Sequence, residues 1–266
     1  MLLGPLLADE LNDLQQLQPE DWPSIIPAFQ YYTDNSFCIP LKISDNGKII
    51  AVGATIIFKD TAWLAHVIVH PDYRNQGLGR RMVAALLDKT KEAGCQTVSL
   101  IATELGYHLY KKLGFEDDVD YLFWENNNPP EQGSLSKNIS RFTALDERPL
   151  LALDRLVSGE ERSKILTNKL KNAYVYKEKN CLRGFYLPDL GEGLIIADDD
   201  EAGIELLRYR GRSVNKTVLP ATNEGGIKYL RENGFSENKR VKRMVYGKKL
   251  RWYPQKLYSR IDGNFG

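Results

Sequence analysis

The chain has 266 residues, 42% hydrophobic and 27% charged, with a formal net charge of +1. That length accommodates two domains of ordinary size. The balanced charge offers no global field for nucleic acid or an anionic membrane, so neither is expected as a partner. Cys38, Cys95 and Cys181 are widely spaced without a CxxC pair, and His66, His70 and His108 complete the histidines. A zinc site and a disulfide scaffold are both disfavoured, so no metal and a reducing compartment are expected. Residues 1–8 are apolar but lack a basic region, making a poor signal peptide. No apolar run approaches the ~20 residues of a bilayer span. The expectation is a cytoplasmic protein, monomer or homodimer.

A helix is predicted over 19–32: Pro19 and two acids suit a first turn, and Pro27 should kink or end it. Strands 38–43 and 48–58 join across the turn Asp45-Asn46-Gly47. Residues 63–69 are apolar on both faces except for His66, which predicts a central strand. A helix over 77–93 aligns Leu78, Met82, Val83, Leu86 and Leu87 on one face. Gly94 stops it, behind Lys89 and Lys91. Strand 97–101, short helix 105–113 and strand 119–124 follow.

The run from Asn126 to Ser134 is rich in Asn, Pro and Gly and reads as a linker. The expected division is a first domain over 1–127, a linker over 128–137 and a second domain over 138–266. In the latter, helices are predicted at 150–157, 160–170, 201–209 and 225–233, and strands at 173–176, 182–187, 194–197 and 213–219. The basic cluster Arg240, Lys242, Arg243, Lys248, Lys249 and Arg251 reads as a solvated face. A shift of 120 residues lays Val98–Phe115 on Val218–Phe235 with five identities in eighteen positions. Each segment has a strand-helix-Gly-Phe order, which predicts a common architecture for the halves.

The chemistry concentrates between Val67 and Arg80. A buried strand runs into a turn carrying Gly77 and Gly79, and the turn opens directly into the amphipathic helix. Unpaired N–H groups and the helix dipole favour an anion there. Glycine lets the backbone approach a pyrophosphate closely. Arg74, Arg80 and Arg81 add positive charge. No Gly-Lys-Ser/Thr follows, so this is not a P-loop, and the third glycine of a dinucleotide fingerprint is missing.

At these residues the sequence resembles the GNAT superfamily of N-acetyltransferases. Arg74-x-x-Gly77-x-Gly79 matches that family's R/Q-x-x-G-x-G/A motif, preceded by Val69-x-Pro71 and Tyr73. Ala102-Thr103-x-x-Gly106-x-x-Leu109-Tyr110-x-x-Leu113-Gly114-Phe115 matches its downstream stretch. The resemblance implies an α/β (α+β) fold with a mixed sheet flanked by helices in each half, and acetyl-CoA as cosubstrate. It implies that the strand holding Val67, Ile68 and Val69 splays from the strand before Ala102. Backbone of those three residues would then hold pantetheine. Arg74 and the turn Asn75, Gln76, Gly77, Leu78, Gly79 and Arg80 would hold the pyrophosphate, with Thr103 nearby. The implied reaction is direct attack by a primary amine on the thioester. Tyr110 matches the family's general acid near the sulfur. His66, where many members carry a glutamate, is either the base or a hydrogen-bonded core histidine. A backbone N–H near Ile68 or Val69 suits the thioester oxygen. His70 is expected to cap the strand end, and His108 to play no part.

The second half lacks the phosphate turn and instead carries Asp198-Asp199-Asp200-Glu201, which would repel a pyrophosphate and suits a helix N-terminus. No CoA is expected there. The layout resembles tandem GNAT proteins with an intact half followed by a degenerate one. Arg141-Phe142, the run from Asp154 to Arg162, and Arg243-Met244-Val245-x-Gly247 carry that resemblance. The expected acceptor is a small-molecule amine seated between the halves. A protein lysine or N-terminus, or a non-catalytic CoA sensor, are the alternatives.

Overall fold

The computed structural model describes residues 1–20, 22–127 and 136–266. In chain order the first part comprises β1 (Leu2–Pro5), a 3-10 helix (Ala8–Leu17), α1 (Ile26–Asp34), β2 (Cys38–Asp45), β3 (Lys48–Phe58), β4 (Thr61–Val69), α2 (Leu78–Glu92), β5 (Thr97–Ala102) and α3 (Glu104–Lys112). Next come β6 (Glu116–Glu125), β7 (Ile139–Arg141), α4 (Glu147–Ser158), α5 (Ser163–Leu166), β8 (Tyr174–Glu178), β9 (Cys181–Leu187), β10 (Leu194–Ala197), α6 (Asp200–Arg210), β11 (Lys216–Pro220), α7 (Glu224–Glu232), β12 (Ser236–Gly247) and β13 (Leu257–Ser259). The fold is a mixed α/β architecture. Among the described residues no helix is long and apolar enough to cross a membrane.

Two units emerge, and neither is continuous in sequence. The first contains Met1–Glu116, Met244–Lys249 and Gly263–Phe265; the second contains Asp117–Arg243, Leu250–Asp262 and Gly266. This differs from the division expected at residue 127. Most of β6, expected with the first half, packs in the second unit, while the end of β12 packs in the first. The expected linker 128–137 lies largely outside the described residues.

In the first unit the strand order is β1-β2-β3-β4-β5, with the end of β12 beside β5. β2 and β3 form the expected hairpin. Asn46 and Gly47 both hold positive φ, 46° and 81°, the geometry a two-residue turn needs. β4 is central, as expected, antiparallel to β3 and parallel to β5. α2 buries Leu78, Met82, Val83, Leu86 and Leu87 in the core that β3, β4 and β5 share. Truncating Leu86 to Ala would cost ~2–5 kcal/mol in lost burial and cavity.

The helix predicted over 19–32 is realised only from Ile26 onward. The chain instead makes the 3-10 helix Ala8–Leu17, and α1 starts only at Ile26. Pro27 lies in the first turn of α1 instead of ending a helix. A proline is tolerated there because its missing N–H has no intrahelical partner.

In the second unit β7, β8, β9, β10 and β13 form one sheet, and β6 pairs antiparallel with β11, from Lys216↔Glu125 to Pro220↔Tyr121. The predicted helix 160–170 is broken into α5 and a 3-10 segment, Thr167–Asn172. Arg162, the residue before α5, turns inward to a buried, bidentate pair with Asp154 at 2.6 and 3.3 Å. The basic cluster is not simply a solvated face. Arg243 lies in β12, only 2% exposed, paired with Asp118 at 3.2 Å and stacked 4.1 Å from the Trp252 ring.

The repeat is visible in the structure. α3 and α7 begin and end at the same positions under the 120-residue shift. Thr103 and Asn223 cap them alike, accepting from the N–H of Gly106 and Gly226. Phe115 and Phe235 each return an N–H to Tyr110 O and Leu230 O, both at 3.0 Å. Where the first half has Tyr110, the second therefore has a buried leucine.

Candidate active site

β4 pairs with β5 only from Thr61↔Thr97 to Trp63↔Ser99. Beyond that point the two parallel strands part, leaving backbone of residues 64–69 facing the gap. β4 also carries a bulge. Against β3 its register steps from Ala54↔Ala65 to Val52↔Ile68, so His66 and Val67 stand opposite Gly53 alone. His66 sits at φ 48°, in the left-handed region that a non-glycine residue enters only under local constraint. The bulge therefore re-aims His66 out of the alternation that governs the rest of the strand.

Val69 ends β4, and the chain turns through a short 3-10 segment, Pro71–Tyr73. His70 caps this turn, its Nδ1 accepting from the Asp72 N–H at 3.3 Å. Arg74 donates from Nε to Val69 O at 3.2 Å, and Gln76 from Nε2 to Asp72 O at 3.3 Å. Both contacts brace the loop against the strand. Asn75 and Gly77 have φ 61° and 80°. Gly77 precedes α2 without a side-chain cap. The first amide to bond back into α2 is that of Arg81, to Gly77 O at 3.0 Å. The amides of Leu78, Gly79 and Arg80 thus lack intrahelical acceptors and lie at the positive end of a 15-residue helix. The Leu78 side chain is buried and anchors the turn, while Arg74, Asn75, Gln76 and Arg80 are exposed. This arrangement can hold an anion.

Tyr110 lies on α3, buried in the same core as Leu64, Leu78 and Ala102, with Val67 and Val69 packed against that core. Its ring lies edge-on to Phe115 at 5.6 Å. Burial pushes its phenol up to about 12, so it stays protonated across the physiological range. Thr103 is the N-cap of α3 at the end of β5. His108 is exposed beside Tyr107.

His66 is held within aromatic rings. Its centroid lies 5.9 Å from Trp22, 5.6 Å from Phe29 and 5.7 Å from Tyr32. Its Nδ1 shares a 2.8 Å hydrogen bond with the Tyr32 hydroxyl. Burial draws its pKa down to about 4, so the ring is neutral near pH 7. Sequence reasoning singled out His66 but not Tyr32. That partner lies 34 residues away on α1, in a segment whose helix was predicted with the wrong start.

The second unit has the same order of elements, but the corresponding gap is filled. β10 leads into α6 as β4 leads into α2, and β11 into α7 as β5 into α3. β13 lies against both β10 and β11. It pairs with β10 through Ile195↔Ser259 and Ile196↔Leu257. Towards β11, the Arg260 N–H donates to Val218 O at 3.0 Å, and Asn223 Nδ2 donates to Leu257 O at 2.9 Å. The acidic run is neutralised locally. Asp198 pairs with Lys256 at 2.7 Å, and Asp199 with Arg183 at 2.7 Å while capping α6 through the Ala202 N–H. The Tyr258 hydroxyl donates to Asp200. The Tyr258 ring lies flat on Gly203, so closely that any side chain there would collide with it.

A mixed sheet with parted parallel strands, leading through a glycine turn into a helix, defines the GNAT class of fold. Two family profiles match the chain: the acetyltransferase (GNAT) family over residues 7–115 and an acetyltransferase (GNAT) domain over residues 150–259. The protein belongs to the GNAT acetyltransferase family, a family of acyltransferases, and carries two such domains. The Escherichia coli ribosomal protein bS18-alanine N-acetyltransferase is 34% identical over 79 residues, 29% of this chain and 53% of that protein. The chain spans about half the length of the curated relatives it matches first. A Pyrococcus horikoshii structure, provisionally assigned as an acetyltransferase, superposes with TM-score 0.82 at 18% identity, covering 100% of this chain and 95% of that one. A tandem GNAT protein from the clavulanic acid biosynthesis pathway superposes with TM-score 0.61 at 12% identity, covering 92% and 98%. At those identities the structural likeness concerns the fold.

Proposed function

We propose that the protein is an N-acetyltransferase that moves an acetyl group from acetyl-CoA to a primary amine, with a small-molecule acceptor. The observation that carries this reading is the row of amides at Leu78, Gly79 and Arg80, unpaired within α2 and aligned with its dipole. A pyrophosphate fits that row, with Arg74 and Arg80 at its rim. Backbone of Val67, Ile68 and Val69, facing the gap from β5, fits the pantetheine amides, and an N–H near Ile68 or Val69 suits the thioester oxygen. Acetyl-CoA supplies an activated acyl group with a thiolate leaving group.

The chain's own residues supply proton handling. His66 stays neutral near pH 7 because it is buried. In the tautomer whose Nδ1–H donates to the Tyr32 oxygen, Nε2 is left as the lone pair that takes the amine's proton. Tyr110 remains protonated and can donate to the departing thiolate. A second reading, acetylation of a protein N-terminus, draws support from the similarity to the bS18-alanine N-acetyltransferase. Thiol release from acetyl-CoA, measured across small amines and N-terminal peptides, tests both readings. Turnover of small amines supports the first, and turnover of peptides alone supports the second.

A further inference from the structure

The rings around His66 are graded in exposure. Phe29 and Tyr32 are fully buried, but Trp22 is 38% exposed and Tyr31 and Phe265 are half-buried. Phe265 comes from the short segment Gly263–Phe265, which belongs to the first unit although the residues before it belong to the second. Its ring meets Tyr31 at 5.9 Å and Tyr32 at 6.5 Å, both edge-on. Tyr32 in turn holds His66. A continuous aromatic wall therefore runs from His66 to the surface, through side chains 22, 31, 32 and 265. Large apolar groups grouped at a surface beside a reactive side chain mark a binding face.

The charges fit an apolar occupant. Burial accounts for the depressed His66 pKa, as expected of an apolar surround. A single ammonium entering this surround is pushed towards its neutral amine, the form that attacks a thioester.

We propose that the acceptor is a primary amine bearing an aromatic or comparably flat apolar group, with Phe265 and Trp22 as specificity-determining residues that seat it. The inference rests on the acetyl-transfer reading above. Burying one ring against such a wall should raise kcat/KM roughly 10- to 100-fold.

The test is steady-state kinetics at saturating acetyl-CoA with 2-phenylethylamine, propylamine, a linear diamine and an N-terminal alanine peptide. The wild-type, Phe265→Ala, Phe265→Leu and Trp22→Ala proteins are compared, with acetyl-CoA affinity measured by calorimetry on each. The wild type should prefer 2-phenylethylamine to the diamine by about 10-fold or more. Phe265→Ala and Trp22→Ala should each raise KM for the aryl amine about 5- to 10-fold, leave propylamine within twofold, and leave acetyl-CoA affinity unchanged. Phe265→Leu should recover part of the loss. Trp22 is exposed, so its variant keeps the test valid if Phe265→Ala does not fold. Equal losses on every amine, or preference for the diamine or the peptide, would overturn the inference while leaving acyl transfer standing. Acetyl-CoA binding with no acceptor turned over would overturn the transfer reading itself.

Discussion

The hydroxyl of Tyr32 and Nδ1 of His66 share a 2.8 Å hydrogen bond, joining α1 to the bulge of β4. The bond fixes the ring plane of a histidine that the bulge has already turned out of the strand's alternation. Burial keeps that ring uncharged, with a pKa of about 4 against 6.5 for a free histidine. The consequence for stability has a definite sign. The unfolded chain takes up a proton at His66 below pH 6.5, and the folded chain does so only near pH 4. Stability from this site is full above pH 6.5 and falls as the pH drops from there towards 4. Between pH 7.5 and pH 5 the wild type should lose ~2 kcal/mol more than His66→Gln, measured by urea unfolding. Parallel pH profiles for the two proteins would contradict the burial of a neutral ring.

The same pKa bears on activity. If His66 is the base, its protonation limits the rate only near pH 4, and any limb seen at neutral pH belongs to the acceptor amine. The kcat profile should therefore be flat through the histidine range. His66→Ala should lower kcat by about 10²-fold or more. A kcat reduced less than twofold would return His66 to a packing role.

Tyr110→Phe removes a hydroxyl and keeps the ring against Phe115. The expected result is a fall in kcat of about 10²-fold with acetyl-CoA affinity within twofold. Loss of affinity with unchanged kcat would show that the hydroxyl binds the cosubstrate and takes no part in leaving-group departure.

One acetyl-CoA should bind per chain. In the second unit, β13 closes the gap between β10 and β11, and Lys256 and Tyr258 engage Asp198 and Asp200 of the acidic run at the start of α6. Calorimetric titration should return a stoichiometry near one. Tyr258→Ala should destabilise the protein by ~3–5 kcal/mol through the cavity it leaves, without creating a second site. Two equivalents bound per wild-type chain would contradict a self-filled second half.

Local patterns were legible in the sequence. The β2–β3 hairpin, the apolar face of α2 and the glycine turn before it depend on neighbours within a few residues. The repeat was also readable, because α3 and α7 keep their caps and the Gly-Phe that follows. What escaped notice depends on distant partners. The first part of β12 is crowded with charge, and Arg243 is buried there against Asp118 and Trp252, both far from it in local pattern. The three residues of β13 make sense as a strand only beside β10 and β11. The bulge at His66 is a matter of register against β3, which no property of β4 alone specifies. Pro27 misled because proline both ends and starts helices.

The central claim is that the amides opening α2 receive the diphosphate of acetyl-CoA, and Gly77, at φ 80°, makes that turn possible. Gly77→Ala forces a side chain into the left-handed region at a cost of ~1–2 kcal/mol, so weaker acetyl-CoA binding by about 5- to 20-fold is expected. The most direct measurement is amide hydrogen exchange of the whole protein with and without saturating acetyl-CoA. Strong slowing at Leu78, Gly79 and Arg80 on cosubstrate binding is the predicted result. Binding that leaves exchange at those three amides unchanged would contradict the account.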